Sequence, residues 1–433
     1  MAFETTTHSQ AKSSSSGVIR HSPLRIGILS YRSDPRVGGQ GVYLDYLTRA
    51  LVDAGQEVSV LSGPPYPSLD PRVEVIQVPS LDLYAQPHNG HYALRPRHLL
   101  SATDTYEYFG HLSGKFVEPY TFGERAKKYL LKHPDRFDVL LDNQSLSQGI
   151  LDASRKLGLP LVTMIHHPIT EDRRLELKAA ENWKQRWLVK RWYAFHHMQV
   201  RVARQLSHIL TPSRSGREHI ANEFGLDADK ISVIPLGVDR DAFRPIETVE
   251  RATDRIVTTA SADVPLKGLI YLIEAYAALL ADHPKLELCV IGKLRDGPTA
   301  DRIKALGLTD RIEFKSSLTR EQVAHEFQTA TLLVSPSLYE GFGLPAAEAM
   351  ACGTPVIVTD GGALPEVAGD AGKVVPKADA KALAEGIAEL LTDSAARSAM
   401  AKACLARAEE RFDWEKIAPQ YLDVFQLVRA AQC

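Results

Sequence analysis

The sequence has few cysteines, no long apolar run and no large excess of charge of either sign. Its four cysteines are widely spaced and form no C-x-x-C pair, which is typical of free thiols in a reducing compartment such as the cytoplasm. No stretch reaches the roughly 18 apolar residues of a membrane span, and the N-terminus lacks the apolar core of a signal peptide. A net charge of -2 argues against a nucleic-acid binder, which would carry a basic field.

Short apolar runs alternate with helical patterns along most of the chain. Residues 1–22 are polar, include a run of serines and predict a disordered tail. The strands that we predict are residues 24–30, 57–61, 73–78, 137–141, 161–165, 207–211, 255–259, 286–291, 311–315, 331–335, 355–359 and 372–375. This strand–helix–strand rhythm predicts an α/β fold with two doubly wound, Rossmann-like halves that face a cleft. We expect the boundary between them after residue 212.

The most distinctive segment starts at Glu340 and runs through a Gly-Phe-Gly turn into a helix that Pro345 opens and Gly353 closes. Free backbone N–H groups at a helix start suit an anion such as a diphosphate, and glycines let a ligand approach the backbone closely. Glu348 lies in the predicted first turn of this helix. A carboxylate there either stabilises the helix dipole or accepts two hydrogen bonds from a vicinal diol such as a ribose.

Other polar side chains directly follow predicted strands. Lys267 follows the strand at residues 255–259, where it is either a solvated lysine or a point charge for phosphate. His166 and His167 follow the strand at residues 161–165, with either a structural or a cleft-facing role. No histidine or cysteine cluster has ligand spacing, so we expect no metal and no other cofactor.

Two D-x-D pairs, Asp227-Ala-Asp229 and Asp239-Arg-Asp241, match a pattern that holds a divalent metal in some enzymes. Both lie near predicted helix starts, where Asp is a common cap, and we expect capping roles. A metal-free enzyme must then neutralise a departing diphosphate with lysine and helix amides.

Glu340 and Glu348 are separated by seven residues, and the sequence around them resembles the retaining glycosyltransferases of family 4, whose E-x7-E motif it matches. The resemblance extends from Leu24 to the C-terminal helix and includes ISVIPLGVD at residues 231–239 and RFDWEKIAPQYL at residues 411–422. It implies a GT-B fold. Residues 23–212 would bind the acceptor, residues 213–405 would bind the nucleotide sugar, and the C-terminal helix at residues 406–433 would cross back onto the first domain.

The resemblance also implies roles for individual residues. Glu348 would hold the ribose, the backbone near Ser317 and Leu318 would hold the nucleoside, and Lys267 would stabilise the diphosphate. Catalytic roles fall to His166 and Glu340, which would position the sugar, together with Lys267. The donor-binding residues would be Gly38, Gly39, Lys267, Ser317, Leu318, Gly341, Phe342, Gly343, Leu344 and Glu348.

The chain departs from the family at Ala262, where an arginine that contacts the diphosphate is usual. Lys293 and Arg295 are candidates to supply the missing charge. The implied reaction is transfer of a hexosyl group from a nucleoside diphosphate sugar, with UDP or GDP expected, to an unidentified lipid or small-molecule acceptor. Retention would follow from same-face substitution or from double displacement. The alternatives are a sugar-nucleotide epimerase of similar fold and, favoured by Ala262, an inactive nucleotide-sugar-binding subunit.

Three of the four tryptophans, Trp183, Trp187 and Trp192, lie close together, and the stretch from Trp183 to Arg204 contains six Lys or Arg and no acidic residue. If the stretch is one helix, Trp183 and Trp187 share one side, and Leu188 and Trp192 share another. It is either a packed helix with a solvated basic face or a peripheral contact with anionic lipid at the inner face of the membrane.

Overall fold

The computed structural model describes residues 23–33, 39–260 and 265–431, and Gly38 and Ala262 lie outside these ranges. The strands of the first sheet are β1 (Arg25–Ser30), β2 (Glu57–Ser62), β3 (Glu74–Gln77), β4 (Val139–Asn143), β5 (Leu161–Met164), β6 (Ile209–Thr211) and β7 (Ile231–Val233). The strands of the second sheet are β8 (Arg255–Thr259), β9 (Glu287–Ile291), β10 (Ile312–Lys315), β11 (Leu332–Ser335), β12 (Val356–Thr359) and β13 (Lys373–Val375).

Helices connect these strands. Those of the first half are α1 (Gly39–Asp53), α2 (Ala102–Leu112), α3 (Glu118–Lys132), α4 (Gln148–Leu157), α5 (Thr170–Ala179), α6 (Trp183–Trp192), α7 (His196–Ala203) and α8 (Arg214–Phe224). Those of the second half are α9 (Leu269–Leu279), α10 (Pro298–Ala305), α11 (Arg320–Thr329), α12 (Leu344–Ala351), α13 (Leu364–Ala368), α14 (Ala380–Thr392), α15 (Ser394–Arg411) and α16 (Trp414–Ala430).

Both sheets are parallel and doubly wound, which confirms the predicted fold class. The strand orders are β3-β2-β1-β4-β5-β6-β7 and β10-β9-β8-β11-β12-β13. The order reverses between β1 and β4 in the first sheet and between β8 and β11 in the second. Ligands of open parallel sheets bind in the crevice at such a reversal, beyond the carboxyl ends of the strands. The fold therefore provides one such crevice in each domain.

The central strands are buried at nearly every position because helices cover both faces of the sheet. Every residue of β4 and of β5 is buried. Continuous burial of this kind is typical of parallel sheets, whereas a sheet with one solvated face would alternate.

The first sheet extends past the boundary predicted at residue 212. Its last strand, β7, pairs in parallel with β6. This strand was not predicted, because three residues carry too short a pattern to be distinguished from a loop. The linker between the two sheets therefore follows Val233 and precedes Arg255.

The C-terminal region also differs from the prediction. The C-terminal helix was expected to start at residue 406, but α15 continues to Arg411, and Asp413 caps a separate helix, α16. Helix α16 packs against α1 of the first domain, so the chain crosses back as the resemblance implied.

The segment around the tryptophans is not the single helix that the sequence suggested. A 3-10 turn at Tyr193–Phe195 separates α6 from α7. No residue of α6 is buried, and Leu188, expected to share one side of a helix with Trp192, is 49% exposed. Within the described ranges, no helix combines the length and hydropathy that a membrane span requires.

Candidate active site

A cavity of about 470 Å³ lies between the two domains, beside the carboxyl ends of β5 and β8. It brings together most of the residues that the sequence singled out. The predicted site residues that line the cavity are Gly39, His166, Lys267, Glu340, Gly341, Phe342, Gly343, Leu344 and Glu348. Residues far apart in the chain therefore converge on one cleft.

The turn before α12, at residues 341–343, contains glycines that let both a ligand and the opposite domain approach the backbone closely. Gly343 has φ = +99°, a conformation that favours glycine. A Cβ on Gly341 would lie 2.3 Å from the backbone oxygen of His166, so the two domains touch here through bare backbone. Within the described ranges, no carbonyl accepts a hydrogen bond from the amides of residues 341 to 344. These amides precede a helix, and such groups suit an anion.

Glu348 is the fifth residue of α12, past the first turn in which the sequence placed it. The distance from the helix start weakens the interpretation as a dipole-stabilising residue. Its side chain is buried, with 7% exposed, yet it lines the cavity. The hydroxyl of Tyr46 donates to its Oε1 at 3.2 Å. Burial raises the pKa of Glu348 to about 8, although the Tyr46 hydroxyl opposes the shift.

Lys267 and Glu340 form an ion pair at the cavity wall. Lys267 Nζ lies 2.7 Å from Glu340 Oε1, and Ser337 Oγ donates to the same oxygen at 2.8 Å. Lys267 ends a 3-10 turn that precedes α9, and its ammonium has two further protons to donate. One carboxylate oxygen is thus held by two donors, and the cation remains available to an anionic ligand.

His166 lies beyond the carboxyl end of β5, in a network that spans three strands. Its Nε2 is 2.8 Å from Asn143 Oδ1, and Asn143 Nδ2 donates to Ser30 Oγ at 3.2 Å. The His166 backbone N–H donates to Gln144 Oε1 at 2.8 Å. Burial lowers the pKa of His166 to about 3, and neighbouring His167 contributes to the decrease. The imidazole is therefore neutral at physiological pH.

His167 has a different environment. Its Nε2 is 3.3 Å from Asp172 Oδ2, and Gln144 Nε2 donates to its backbone oxygen at 3.0 Å. Both histidines line the cavity, but only the His166 ring belongs to the network at the strand ends.

Asp227 caps the 3-10 turn at Ala228–Lys230 as expected, whereas Asp239 lies in a turn that no described helix directly follows. Asp227 accepts a hydrogen bond from the N–H of Asp229, and Asp239 accepts one from the N–H of Asp241. Asp239 also pairs with Arg320 at 2.7 Å. In the part of the chain that the structure describes, no group of three or more His, Cys, Asp or Glu side chains could hold a metal ion.

Several polar contacts join the two domains, and the sequence did not reveal them. Ser213, the cap of α8, donates to the carbonyl of Gly341 at 2.8 Å. Arg320 at the start of α11 forms an ion pair with Asp45 of α1, and its guanidinium lies 4.8 Å from the centre of the Tyr46 ring. Asp239 and Arg49 continue this cluster. The sequence singled out Asp239 only as part of a D-x-D pair and did not reveal these contacts, because the partners are far apart in the chain.

Several predicted site residues lie apart from the cavity lining. Ser317 and Leu318 follow β10 at the edge of the second sheet, and Ser317 has φ = +59°. Lys293 and Arg295 are exposed in the loop after β9. Gly38 and Ala262 lie outside the described residues. The roles of these six residues stay predictions.

Two family models cover most of the chain. The model described as Glycosyltransferase Family 4 matches residues 37–242, and the model described as Glycosyl transferases group 1 matches residues 241–407. An MMP alpha-(1->4)-mannosyltransferase from Mycolicibacterium hassiacum is 42% identical over 95% of this chain and 100% of its own length. A D-inositol 3-phosphate glycosyltransferase from Xylanimonas cellulosilytica is 28% identical over 93% of this chain and 96% of its own.

Solved structures share the whole two-domain arrangement. A sucrose-phosphate synthase from Thermosynechococcus elongatus has a TM-score of 0.70 and 24% identity, and the match covers 94% of this chain and 99% of that one. HepE from Anabaena, in complex with UDP and glucose, has a TM-score of 0.67 and 19% identity, covering 93% and 99%.

Proposed function

The chain belongs to glycosyltransferase family 4 and has its GT-B fold, and we propose that this glycosyltransferase moves an α-mannosyl group from a nucleoside diphosphate to a sugar hydroxyl. The 42% identity with an MMP alpha-(1->4)-mannosyltransferase along its whole length supports both the mannosyl group and an acceptor 4-hydroxyl. That relative is a transferase, so the epimerase and the inactive subunit gain no support from it.

The proposal rests most on the clustering of donor-binding groups at one wall of the cavity. Lys267, the free amides of residues 341 to 344 and Glu348 all reach it from the second domain. Lys267 and the amides suit a diphosphate, and the two oxygens of Glu348 suit the hydroxyls of a ribose. His166 faces the same cavity from the first domain, where the transferred sugar would lie between the domains.

The surroundings of Glu340 favour same-face substitution over double displacement. Its Oε1 accepts hydrogen bonds from Lys267 and Ser337, which weakens the carboxylate as a nucleophile. In same-face substitution, the bond between the anomeric carbon and the diphosphate oxygen breaks, and the acceptor oxygen bonds to the same face of that carbon. The acceptor proton passes to the departing diphosphate. Lys267 and the amides stabilise the charge that develops there.

We also propose that transfer needs no metal ion. Asp227 and Asp239 each accept a backbone hydrogen bond within their own turn, Asp239 is further engaged by Arg320, and Asp241 pairs with Arg49. The negative charge of the diphosphate would then fall to Lys267 and the amides. Activity that persists after treatment with EDTA, and does not increase when Mg²⁺ or Mn²⁺ is added, is the expected result.

A panel of GDP- and UDP-linked sugars tests the main proposal. The correct donor should stabilise the protein by about 3–4 kcal/mol at saturation, and GDP- or UDP-linked mannose should be preferred. Transfer to mannose-containing acceptors should give an α-linked product by NMR. Binding of none of these donors, or unchanged binding after combined Lys267→Ala and Glu348→Ala substitution, contradicts the proposal. Interconversion of the donor sugar without acceptor would indicate an epimerase.

We further propose that the enzyme works in the cytoplasm at the membrane surface. Trp183 and Trp187 on α6 are 72% and 51% exposed, and the neighbouring helix α2 exposes Phe109 and Leu112. The turn after α2 lies against α6, since Arg191 donates to the carbonyl of Ser113 and the backbone N–H of Phe116 donates to the Trp192 carbonyl. Exposed indoles beside lysine and arginine suit an interface with anionic lipid. The buried free thiols Cys289, Cys352 and Cys404 support a reducing compartment.

A further inference from the structure

Tyr46 links the two domains at the carboxylate expected to bind the ribose. It lies on α1 of the first domain, is 4% exposed, and donates its hydroxyl hydrogen to Glu348 Oε1 on α12 of the second domain. A buried tyrosine normally finds a hydrogen-bond partner, and here that partner belongs to the donor site.

The two residues occupy different sides of the contact. Glu348 lines the cavity, whereas Tyr46 is not among the described residues that line it. An ionised carboxylate has about four lone-pair positions, and Tyr46 uses one of them. The hydroxyls of a ribose can therefore reach Glu348 from the cavity while Tyr46 holds it from behind.

Arg320, Asp45 and Asp239 form a charged cluster, called the clamp below, that holds Tyr46 next to Glu348. Arg320 lies over the Tyr46 ring and forms ion pairs with Asp45, the residue before Tyr46, and with Asp239. Arg320 is the first residue of α11, which begins with a capping box formed by Thr319 and Gln322. The clamp thus connects a rigid helix start in the second domain to α1 in the first.

We propose that Tyr46 is a positioning residue, which orients Glu348 for the ribose only when the two domains are closed. The inference rests on the proposed donor-binding role of Glu348. The arrangement of the domains and nucleotide binding are then coupled through one hydroxyl group, because the side chain that orients Glu348 belongs to the opposite domain.

The ionisation of Glu348 should depend on its hydrogen bond from Tyr46. The Tyr46 hydroxyl and Arg320 favour the ionised carboxylate, while Asp239 and burial favour the protonated form. Cys352, the residue directly after α12, also interacts electrostatically with Glu348. An ionised Glu348 accepts both ribose hydroxyls, so nucleotide binding should strengthen as the pH rises through the pKa of about 8. Loss of the Tyr46 hydroxyl should move this midpoint to higher pH.

The test compares Tyr46→Phe with the wild-type chain by calorimetric titration of GDP and of UDP between about pH 6.5 and 9. Phenylalanine keeps the ring under Arg320 and removes only the hydroxyl. We expect about 3- to 30-fold weaker nucleotide binding near pH 7 and a higher pH midpoint. Arg320→Gln removes the clamp but keeps the Tyr46 hydroxyl, and it should also weaken nucleotide binding and raise the pH midpoint. This variant provides the test if Tyr46→Phe does not fold.

Two controls separate the inference from the proposed function. Tyr108→Phe removes another buried tyrosine hydrogen bond of the first domain, to the carbonyl of His91, and should leave both quantities unchanged. Glu348→Gln should weaken binding and abolish the pH dependence near 8. If Glu348→Gln behaves this way but Tyr46→Phe matches the wild type, the role of Tyr46 is refuted alone. If neither nucleotide binds, or Glu348→Gln binds normally, the proposed function fails and the inference with it.

Discussion

Lys267 Nζ lies 2.7 Å from Glu340 Oε1, so the cation expected to bind the diphosphate and the carboxylate expected to face the sugar are one ion pair. The two residues are 73 positions apart and come from different connections of the second sheet. In this pair the carboxylate directs the lysine, and the lysine limits the reactivity of the carboxylate.

Glu340→Gln should separate nucleotide binding from transfer. Removing a negative charge beside the diphosphate site frees Lys267, so free GDP or UDP should bind about threefold more tightly. Transfer should be slower by about 100-fold or more, because the charge near the anomeric carbon is lost. Calorimetry and single-turnover assays measure the two effects.

The exposed pair Lys373–Glu389 in the same domain provides a matched control for this substitution. Glu389→Gln should change neither quantity. If Glu340→Gln weakens both nucleotide binding and transfer, the prediction is wrong. The ion pair then holds the donor site in shape, and Glu340 does not limit the binding of the diphosphate by Lys267.

His166 should act as a neutral group throughout the working pH range. Because burial lowers its pKa to about 3, the wild-type profile of kcat/KM should have no ionisation due to His166 between about pH 5 and 8. Asn143→Asp places a carboxylate beside Nε2 and favours the imidazolium, so the pKa of His166 should rise. The variant should lose activity as the pH falls, because the protonated ring changes its hydrogen bonding to the sugar.

The pH profile of each variant provides the measurement. Asn182→Asp, at the exposed cap of α6, makes the same chemical change away from the cavity and should leave the profile unaltered. An acidic limb in the wild-type profile that disappears in His166→Gln would show that the histidine titrates.

The sequence predicted the sheets well because their strands are buried on both faces. Apolar runs such as those of β11 and β12 are short and differ from helical patterns in length and composition. The sequence Thr319-Arg-Glu-Gln322 has the spacing of a capping box, and both of its hydrogen bonds are present at the start of α11. Both features depend on residues that are close together in the chain, so they can be predicted from the sequence.

The parts of the site that were missed depend on tertiary contacts. The predicted fourth strand ended at residue 141, but β4 continues to Asn143. Its last two residues are polar and buried, and the Asn143 side chain donates a hydrogen bond to Ser30 at the end of β1. Tyr46 lies in an apolar stripe of α1 and resembles an ordinary core residue. Its contact with Glu348, 302 positions away, exists only once the domains meet.

Gly341→Ala should disrupt the interface of the two domains while leaving each domain folded. The added Cβ would lie 2.3 Å from the His166 carbonyl oxygen, and neither side is a flexible side chain that could yield. We expect at least about 100-fold lower transfer activity, since small displacements of reacting groups are costly. Gly307→Ala, which introduces backbone strain at φ = +67° but no contact, should lower stability by about 1–2 kcal/mol without this loss of activity. Normal transfer by Gly341→Ala would mean that the closed contact is not required.

Combined Trp183→Gln and Trp187→Gln substitution should weaken binding to liposomes that contain anionic lipid. The two indoles are exposed on a helix with no buried residue, and Lys184 and Arg191 lie over their rings at 5.9 and 5.1 Å. The apolar rings would enter the interface while the cations remain at the headgroups. Sedimentation with and without anionic lipid should show wild-type binding to the former and a loss of about tenfold in the variant.

The choice of control decides whether this effect is specific to α6. Leu427 on α16 is 59% exposed, so Leu427→Gln removes a comparable exposed apolar side chain from another helix and should leave sedimentation unchanged. Because α6 has no buried side chain, the tryptophan substitutions should also preserve the thermal stability and the nucleotide affinity of the enzyme. If the wild-type chain sediments with neither kind of liposome, α6 does not contact lipid, and its exposed indoles require another partner.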